Sequence, residues 1–228
     1  MPDFIYRKEN VISDSLCKSF IENFELDTER QYEGIAGSDG KKPLSGKDAP
    51  KQSTDICFKP SDLEDERWGN MLQELIDTLE EHRKKYLIHW PGLKTLAATE
   101  IHWTFNIQKY KPGESFGEYH CERADMGTSD RVLVWMIYLN DVHDGWWTEF
   151  FHYNLFEEPK AGKLLIWPAD FTHIHKGLPS HTETKYILTG WYSFVQPKKK
   201  KKEKIQIKKS DAGYGMQNFK FKIDEEKA

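Results

Sequence analysis

No stretch of this sequence approaches the run of about 18 or more apolar residues that a membrane-spanning helix needs. The opening residues, MPDFIYRKEN, offer neither the apolar segment nor the cleavage site of a secretory signal. A soluble, cytoplasmic protein with no membrane partner is therefore expected. Cysteine is scarce: Cys17, Cys57 and Cys121 are odd in number, scattered and without a CxxC pair. That pattern excludes a disulfide framework or a cysteine-built metal site and predicts reduced thiols. Positive charge is short in the body of the chain. Residues 197–228 hold eleven Lys against five acidic residues, so a formal net charge of -4 leaves residues 1–196 at -10. An acidic body argues against binding a phosphate backbone, which depends on displacing counterions with many Lys and Arg. Nucleic acid is thus an unexpected partner except through the Lys-rich tail.

What the chain does have is enough apolar and aromatic side chain, 38% and 14%, to build one core. Three segments are expected. Residues 1–96 read as helices and a loop that support a barrel. Ser13 caps an amphipathic helix over 13–25, with Leu16, Phe20 and Phe24 on one face. A Gly- and Pro-rich stretch over 31–54 is loop chemistry, either a flap on the substrate side or disorder. Ser61 and Glu64 read as a capping box opening the longest helix, over 61–85, with Leu63, Trp68, Met71, Leu72, Leu75, Ile76 and Leu79 on one face. Residues 97–196 change to short β-like runs separated by Gly, Pro, Asp and Asn, which predicts an antiparallel sandwich or barrel. Residues 197–228 form a Lys-rich extension, Lys198 to Lys202 followed by alternating apolar residues, read as an edge hairpin with protective lysines.

The chemistry concentrates in the string EYHCERAD. Alternate residues of an extended chain face the same side, so His120 and Glu122 can aim an imidazole and a carboxylate at one metal. A third ligand is available in ADFTHIHKGLPS, where His175 and its rival His173 share a face if the strand continues. Two His and one carboxylate leave open positions on iron, the arrangement of non-haem Fe(II) oxygenases, although zinc accepts the same ligands. Lys185, in the apolar run TKYILTGW, is either at an edge or paired with an anion such as an acidic cosubstrate. Arg123 and Arg131 are read as substrate contacts or as ion-pair partners of Asp125 or Asp130. His102, His143, His152 and His181 have no spacing argument.

Taken in order, Tyr110 to Gly113, His120 with Glu122, Arg131 before Tyr138 to Asn140, Gly145 before Thr148 to Phe150, Pro159 with Gly162, His175, Lys185 and Gly190 with Trp191 resemble the prolyl 4-hydroxylase-like branch of the iron(II)/2-oxoglutarate oxygenases, in a compact phage or bacterial form. The resemblance implies a mainly β fold with flanking helices (α+β) around a double-stranded β-helix, the jelly roll shared with cupins. It implies that His120, Glu122 and His175 bind Fe(II), that Lys185 binds the distal carboxylate of 2-oxoglutarate, and that Tyr110, Tyr138 and Thr148 line that pocket. The ten-residue offset to Lys185 then favours His175 over His173, which becomes a neighbouring or substrate-side residue.

The implied reaction is a dioxygenase reaction. 2-Oxoglutarate and O2 are consumed, succinate and CO2 are released, and a C–H bond is hydroxylated, with ascorbate admissible as a reductant. A peptide or protein substrate is expected first. A small molecule or nucleobase is the alternative, and a non-enzymatic cupin-like binding module is the third reading. Two departures from the family pattern stand out: Glu122 replaces the usual Asp, and Gly145, Trp146 and Trp147 replace a double glycine. The carboxylate at Glu122 rules against the superfamily's halogenases.

Overall fold

The computed structural model describes residues 2–36, 46, 49–145 and 147–195. The expected hairpin in 197–228 lies outside the described residues, as do Trp146 and much of the 31–54 loop. In chain order the elements are β1 (Tyr6–Lys8), α1 (Asp14–Leu26), β2 (Tyr32–Glu33), β3 (Thr54–Phe58), α2 (Gly69–His89), β4 (Thr99–Ile101), β5 (Phe105–Tyr110), β6 (Arg131–Tyr138), β7 (Thr148–Phe150), β8 (Leu155–Glu157), β9 (Leu164–Pro168), β10 (His175–Gly177) and β11 (Lys185–Phe194). Eight strands form one sheet in the order β1-β9-β6-β11-β5-β3-β2, with β4 added to β11. Three form a second sheet, β10-β7-β8. Every pairing is antiparallel. This is the mainly β jelly-roll architecture with flanking helices that the sequence predicts.

The large sheet is buried on both faces, and the period-2 alternation of its strands sorts the side chains between two layers. On one face Phe105, Ile107, Leu133, Trp135, Ile137, Leu164, Ile166, Leu188 and Tyr192 pack with Phe20, Phe24, Leu72, Leu75, Leu79 and Tyr86 of the two helices. On the other, Tyr110, Val134, Met136, Tyr138, Leu165, Trp167 and Ile187 pack with Phe150 of the small sheet. The helices therefore seal one side, and the other side is left to build a site.

Helix α1 follows its prediction: Ser13 Oγ accepts from the Leu16 amide at 3.1 Å, and Leu16, Phe20 and Phe24 are buried. The second helix starts later than predicted. Pro60 opens a 3-10 turn over Pro60–Glu64 whose cap is Lys59, with Asp62 and not Ser61 or Glu64 returning the bond. Asp65 Oδ1 then accepts from the amides of Arg67 and Trp68, and the α-helix begins at Gly69. A carboxylate just after a proline-led turn outcompetes the serine as a helix start. Residues 1–96 also supply β1, β2 and β3 to the large sheet, so this segment is built into the barrel wall as well as supporting it. Among the described residues no helix is long and apolar enough to cross a membrane.

At the centre of β11, Gly190 is required by close approach. A Cβ there would lie 2.6 Å from Phe105 Cβ and 2.7 Å from Trp135 Cζ2. Gly190→Ala is expected to cost roughly 1–3 kcal/mol through overpacking, read as a lower midpoint in denaturant. Gly92→Ala, with nothing within 4 Å of its added methyl, is the matched control and should leave the midpoint unchanged.

Candidate active site

His120 and Glu122 lie in the irregular connection between β5 and β6 and not on the strand predicted for them. Their backbones are fixed from the opposite side. The His120 amide donates to the His175 carbonyl and the His175 amide to the His120 carbonyl, each at 3.0 Å, while the Glu122 amide donates to Ala169 O at 3.1 Å. Bridging at alternate residues turns both side chains to one side, so the spacing argument holds without a regular strand.

The donor atoms of His120, Glu122 and His175 all lie within 4.8 Å of one another, the one such group of three among the described residues. Glu122 Oε1 stands 3.6 Å from His120 Nε2 and 3.7 Å from His175 Nε2. Each Nδ1 faces a carbonyl oxygen at 2.9 Å, that of Glu118 for His120 and of His173 for His175. A carbonyl only accepts, so the proton sits on Nδ1 and each Nε2 presents a lone pair toward its neighbours. Burial, with the charge of His120, takes His175 down to about 3, which keeps the ring neutral. Glu122 is lowered to about 2: burial raises it, but the hydrogen bond and charge of His120 and the charges of His175 and Arg131 outweigh burial. Two imidazoles with their Nε2 atoms turned toward one carboxylate form a donor set that fits a divalent metal.

These ligands line a cavity of about 400 Å³ that also holds Lys185, Tyr110, Thr148, Gln108 and Trp167. Lys185 pairs in register with Tyr110, its Nζ lying 4.9 Å from the phenol ring centroid. Gly177, opposite Thr148 in the small sheet, would bring a Cβ within 3.6 Å of Lys185 Nζ. Strand β10 thus delivers His175 to the metal group and, two residues on, lays its backbone beside Lys185. Burial lowers Lys185 to about 7.

The structure corrects Tyr138. It is fully buried but does not line the cavity, and its hydroxyl is 2.6 Å from Thr148 Oγ1. Thr148 stands between it and the open space, so Tyr138 orients the threonine from behind. His173 stands outside the three-residue donor group and does not line the cavity. It ends the 3-10 turn Phe171–His173, and its Nε2 meets Asp3 O at 2.8 Å; only its carbonyl serves the site. Cys121 is half-buried, bonded to Arg123 O, and raised above the ordinary thiol value by burial. Arg123 pairs with Asp170. Trp147 meets Phe156 edge-on away from the cavity.

Sequence reasoning missed several neighbours of the ligands. Phe116 stacks on His120, with ring centroids 3.7 Å apart and planes 12° from parallel. Arg131 pairs with Glu122, not with Asp125 or Asp130. Trp191 donates from Nε1 to Glu122 Oε2 at 2.9 Å. Buried Asp55 accepts from Lys51 Nζ at 2.5 Å and Ser53 Oγ at 2.7 Å. Neither the 31–54 stretch, which holds Lys51 and Ser53, nor the start of β3, which holds Asp55, carried a signal for this pair, because one ion pair leaves no periodicity.

Residues 105–193 match the model of the 2OG-Fe(II) oxygenase superfamily. The chain is 25% identical over 190 residues to the multifunctional procollagen lysine hydroxylase and glycosyltransferase of Rattus norvegicus, covering 82% of this chain and 23% of that protein. It is 31% identical over 133 residues to procollagen-lysine,2-oxoglutarate 5-dioxygenase 1 of the same species, covering 57% and 16%. The chain thus spans under a quarter of the length of these curated relatives. A prolyl hydroxylase of Trichoplax adhaerens, solved with a hypoxia inducible factor peptide fragment, superposes with a TM-score of 0.66 at 14% identity over 84% of each chain. The viral collagen prolyl hydroxylase of Paramecium Bursaria Chlorella virus-1, solved with 2OG, gives 0.59 at 17% identity over 84% of this chain and 97% of that one. At such identities the likeness is one of fold. The segment 105–193, which carries the whole candidate metal group and Lys185, is the part of this chain that matches the 2OG-Fe(II) oxygenase superfamily.

Proposed function

We propose that this chain is an Fe(II)- and 2-oxoglutarate-dependent dioxygenase that hydroxylates a C–H bond of a peptide or protein. His120, Glu122 and His175 are the metal ligands. Lys185 seats the distal carboxylate of 2-oxoglutarate, and Tyr110 and Thr148 line that pocket. One observation carries this reading: a three-ligand metal group and a buried lysine share one cavity, with their spacing set by one strand. From His175 to Gly177, beside Lys185, is two residues, or about 7 Å of extended chain. That is the reach of a short dicarboxylate anchored on a metal at one end and on an ammonium at the other. Peptide substrates are favoured because the relatives are named as lysine and prolyl hydroxylases.

Bound Fe(II) supplies the coupling of 2-oxoglutarate decarboxylation, giving succinate and CO2, to insertion of one atom of O2 into the substrate C–H bond. The protein's part is placement. The Glu118 and His173 carbonyls hold both imidazoles in the ligating tautomer, Trp167 meets the His175 ring edge-on at 5.1 Å and keeps it dry, and Lys185 neutralises one carboxylate in a site where charge is weakly screened. Ascorbate belongs in the assay as a reductant.

Anaerobic titration with Fe(II) and then 2-oxoglutarate should develop the weak visible charge-transfer band of the complex. His175→Ala should abolish the band, and Lys185→Ala should raise the 2-oxoglutarate concentration needed by at least tenfold. No band and no tight Fe(II) binding by the wild type would sink the oxygenase reading.

Lys185 gives a second prediction. In the folded, unliganded protein it loses its proton near pH 7, whereas an unfolded chain holds that proton up to about 10.4. Stability therefore falls as pH drops from about 10 toward 7, where the unfolded state alone takes up the proton. Below that the penalty stays at its full value. Lys185→Met should raise the melting temperature most at pH 7 and below and progressively less toward pH 10, while cosubstrate binding is lost. For the wild type, 2-oxoglutarate affinity should weaken above pH 7, since binding must then take up a proton. A pH-independent gain in Lys185→Met would contradict this account.

A further inference from the structure

The carboxylate at position 122 has two oxygens with different employment. Oε1 faces both Nε2 atoms of the histidines. Oε2 accepts from Trp191 Nε1 at 2.9 Å and from Arg131 Nη1 at 3.4 Å. Arg131 is itself held twice. Its Nη1 also donates to the Glu122 carbonyl at 3.2 Å, and its guanidinium carbon lies 3.5 Å from the centroid of the Trp191 ring. Both residues come from the large sheet, Arg131 at the start of β6 and Trp191 on β11, paired through Trp191 with Val134. The clamp is thus anchored in the barrel, whereas Glu122 sits in an irregular connection.

We propose that Arg131 and Trp191 are positioning residues that fix Glu122 as a one-oxygen metal ligand and that match the length of a glutamate at this position. The proposal rests on the oxygenase reading. A free glutamate can offer a metal both oxygens and consume a position that cosubstrate or O2 would need. With Oε2 bonded to an indole N–H and a guanidinium, Oε1 alone is left. The extra methylene relative to aspartate lets one carboxylate span from the histidines to Trp191 Nε1, and stacking lets the planar guanidinium and the indole hold each other in register.

The test is a cycle of four proteins: wild type, Trp191→Phe, Glu122→Asp and the double variant. Trp191→Phe keeps a ring under Arg131 and removes only the donor. Anaerobic Mn(II) binding, followed by electron paramagnetic resonance, gives the metal affinity, and the visible band of the Fe(II) and 2-oxoglutarate complex reports the coordination. Loss of a group that orients a ligand typically weakens metal binding about 10–100-fold. We expect Trp191→Phe to weaken Mn(II) binding about tenfold and to move the band. Glu122→Asp, too short to keep the Trp191 contact, should weaken binding similarly, and adding Trp191→Phe to it should change little more. A merely structural tryptophan would lower the melting temperature and leave affinity and band in place, which would overturn the proposal. So would a double variant showing the product of the two single losses. If Trp191→Phe gives no cooperative melt, Arg131→Lys, which keeps the charge but not the planar stack, takes its place with the same expected direction. A wild type that binds neither Mn(II) nor Fe(II) defeats the oxygenase reading and the clamp together, whereas normal metal binding in Trp191→Phe defeats the clamp alone.

Discussion

The pairing of β11 between β5 and β6 is the constraint on which the rest depends. Its ten residues run through the middle of the large sheet, and from Lys185 to Tyr192, ahead of a register shift at Ser193, alternation gives each side chain one of two fates. Leu188, Gly190 and Tyr192 enter the layer beneath the helices; Lys185, Ile187, Thr189 and Trp191 line the cavity. A slip of one residue would exchange the two sets, placing a lysine in the helix-packed core. Gly190, pressed between Phe105 and Trp135, and the Tyr192 hydroxyl, donating to Leu79 O at 2.8 Å, fit that register and no neighbouring one. The site's cation and its Glu122 contact are fixed by the same hydrogen-bond ladder that makes the core.

That logic explains what could be read from the sequence. The strand runs and the helix face of Leu72, Leu75 and Leu79 were legible because burial imposes a period. That His120, Glu122 and His175 come together was legible because their residue types and spacing follow a motif. Features with neither a period nor a local spacing stayed hidden. The Asp65 helix start was masked by a better-looking serine. The resemblance put Tyr138 on the pocket wall, and alternation on β6 does turn it to that face, but Thr148 arrives from the other sheet and covers it. Arg131 and Trp191 converge on one oxygen from far-apart positions, and a sequence pattern has no means of expressing that meeting.

The two sheets also divide the labour at the metal group. His175 belongs to the small sheet, paired opposite Phe150, and is buried. His120 and Glu122 reach the same place from a connection that is stitched to the β9–β10 segment by backbone bonds to Ala169 and His175. Bringing these three side chains together thus requires the sandwich to close, so a metal held by them only in the closed form would stabilise this end of the barrel.

A chain of hydrogen bonds runs along the cavity wall from the Lys51–Asp55 pair. Asp55 accepts from Lys51 Nζ, Ser53 Oγ and, at 3.4 Å, Gln108 Nε2. This fixes which end of the Gln108 amide faces Asp55, so its Oε1 must turn the other way, where it accepts the Tyr110 hydroxyl at 2.7 Å. The phenol proton is thereby committed to Gln108, and Tyr110 presents oxygen lone pairs, not a donor, to its remaining surroundings beside Lys185. The backbone of Lys51 meanwhile bridges to Phe116, the ring stacked on His120. One buried ion pair in a segment without periodic signal thus sets the hydrogen-bonding sense of the wall near Lys185 and braces the ring against the first ligand.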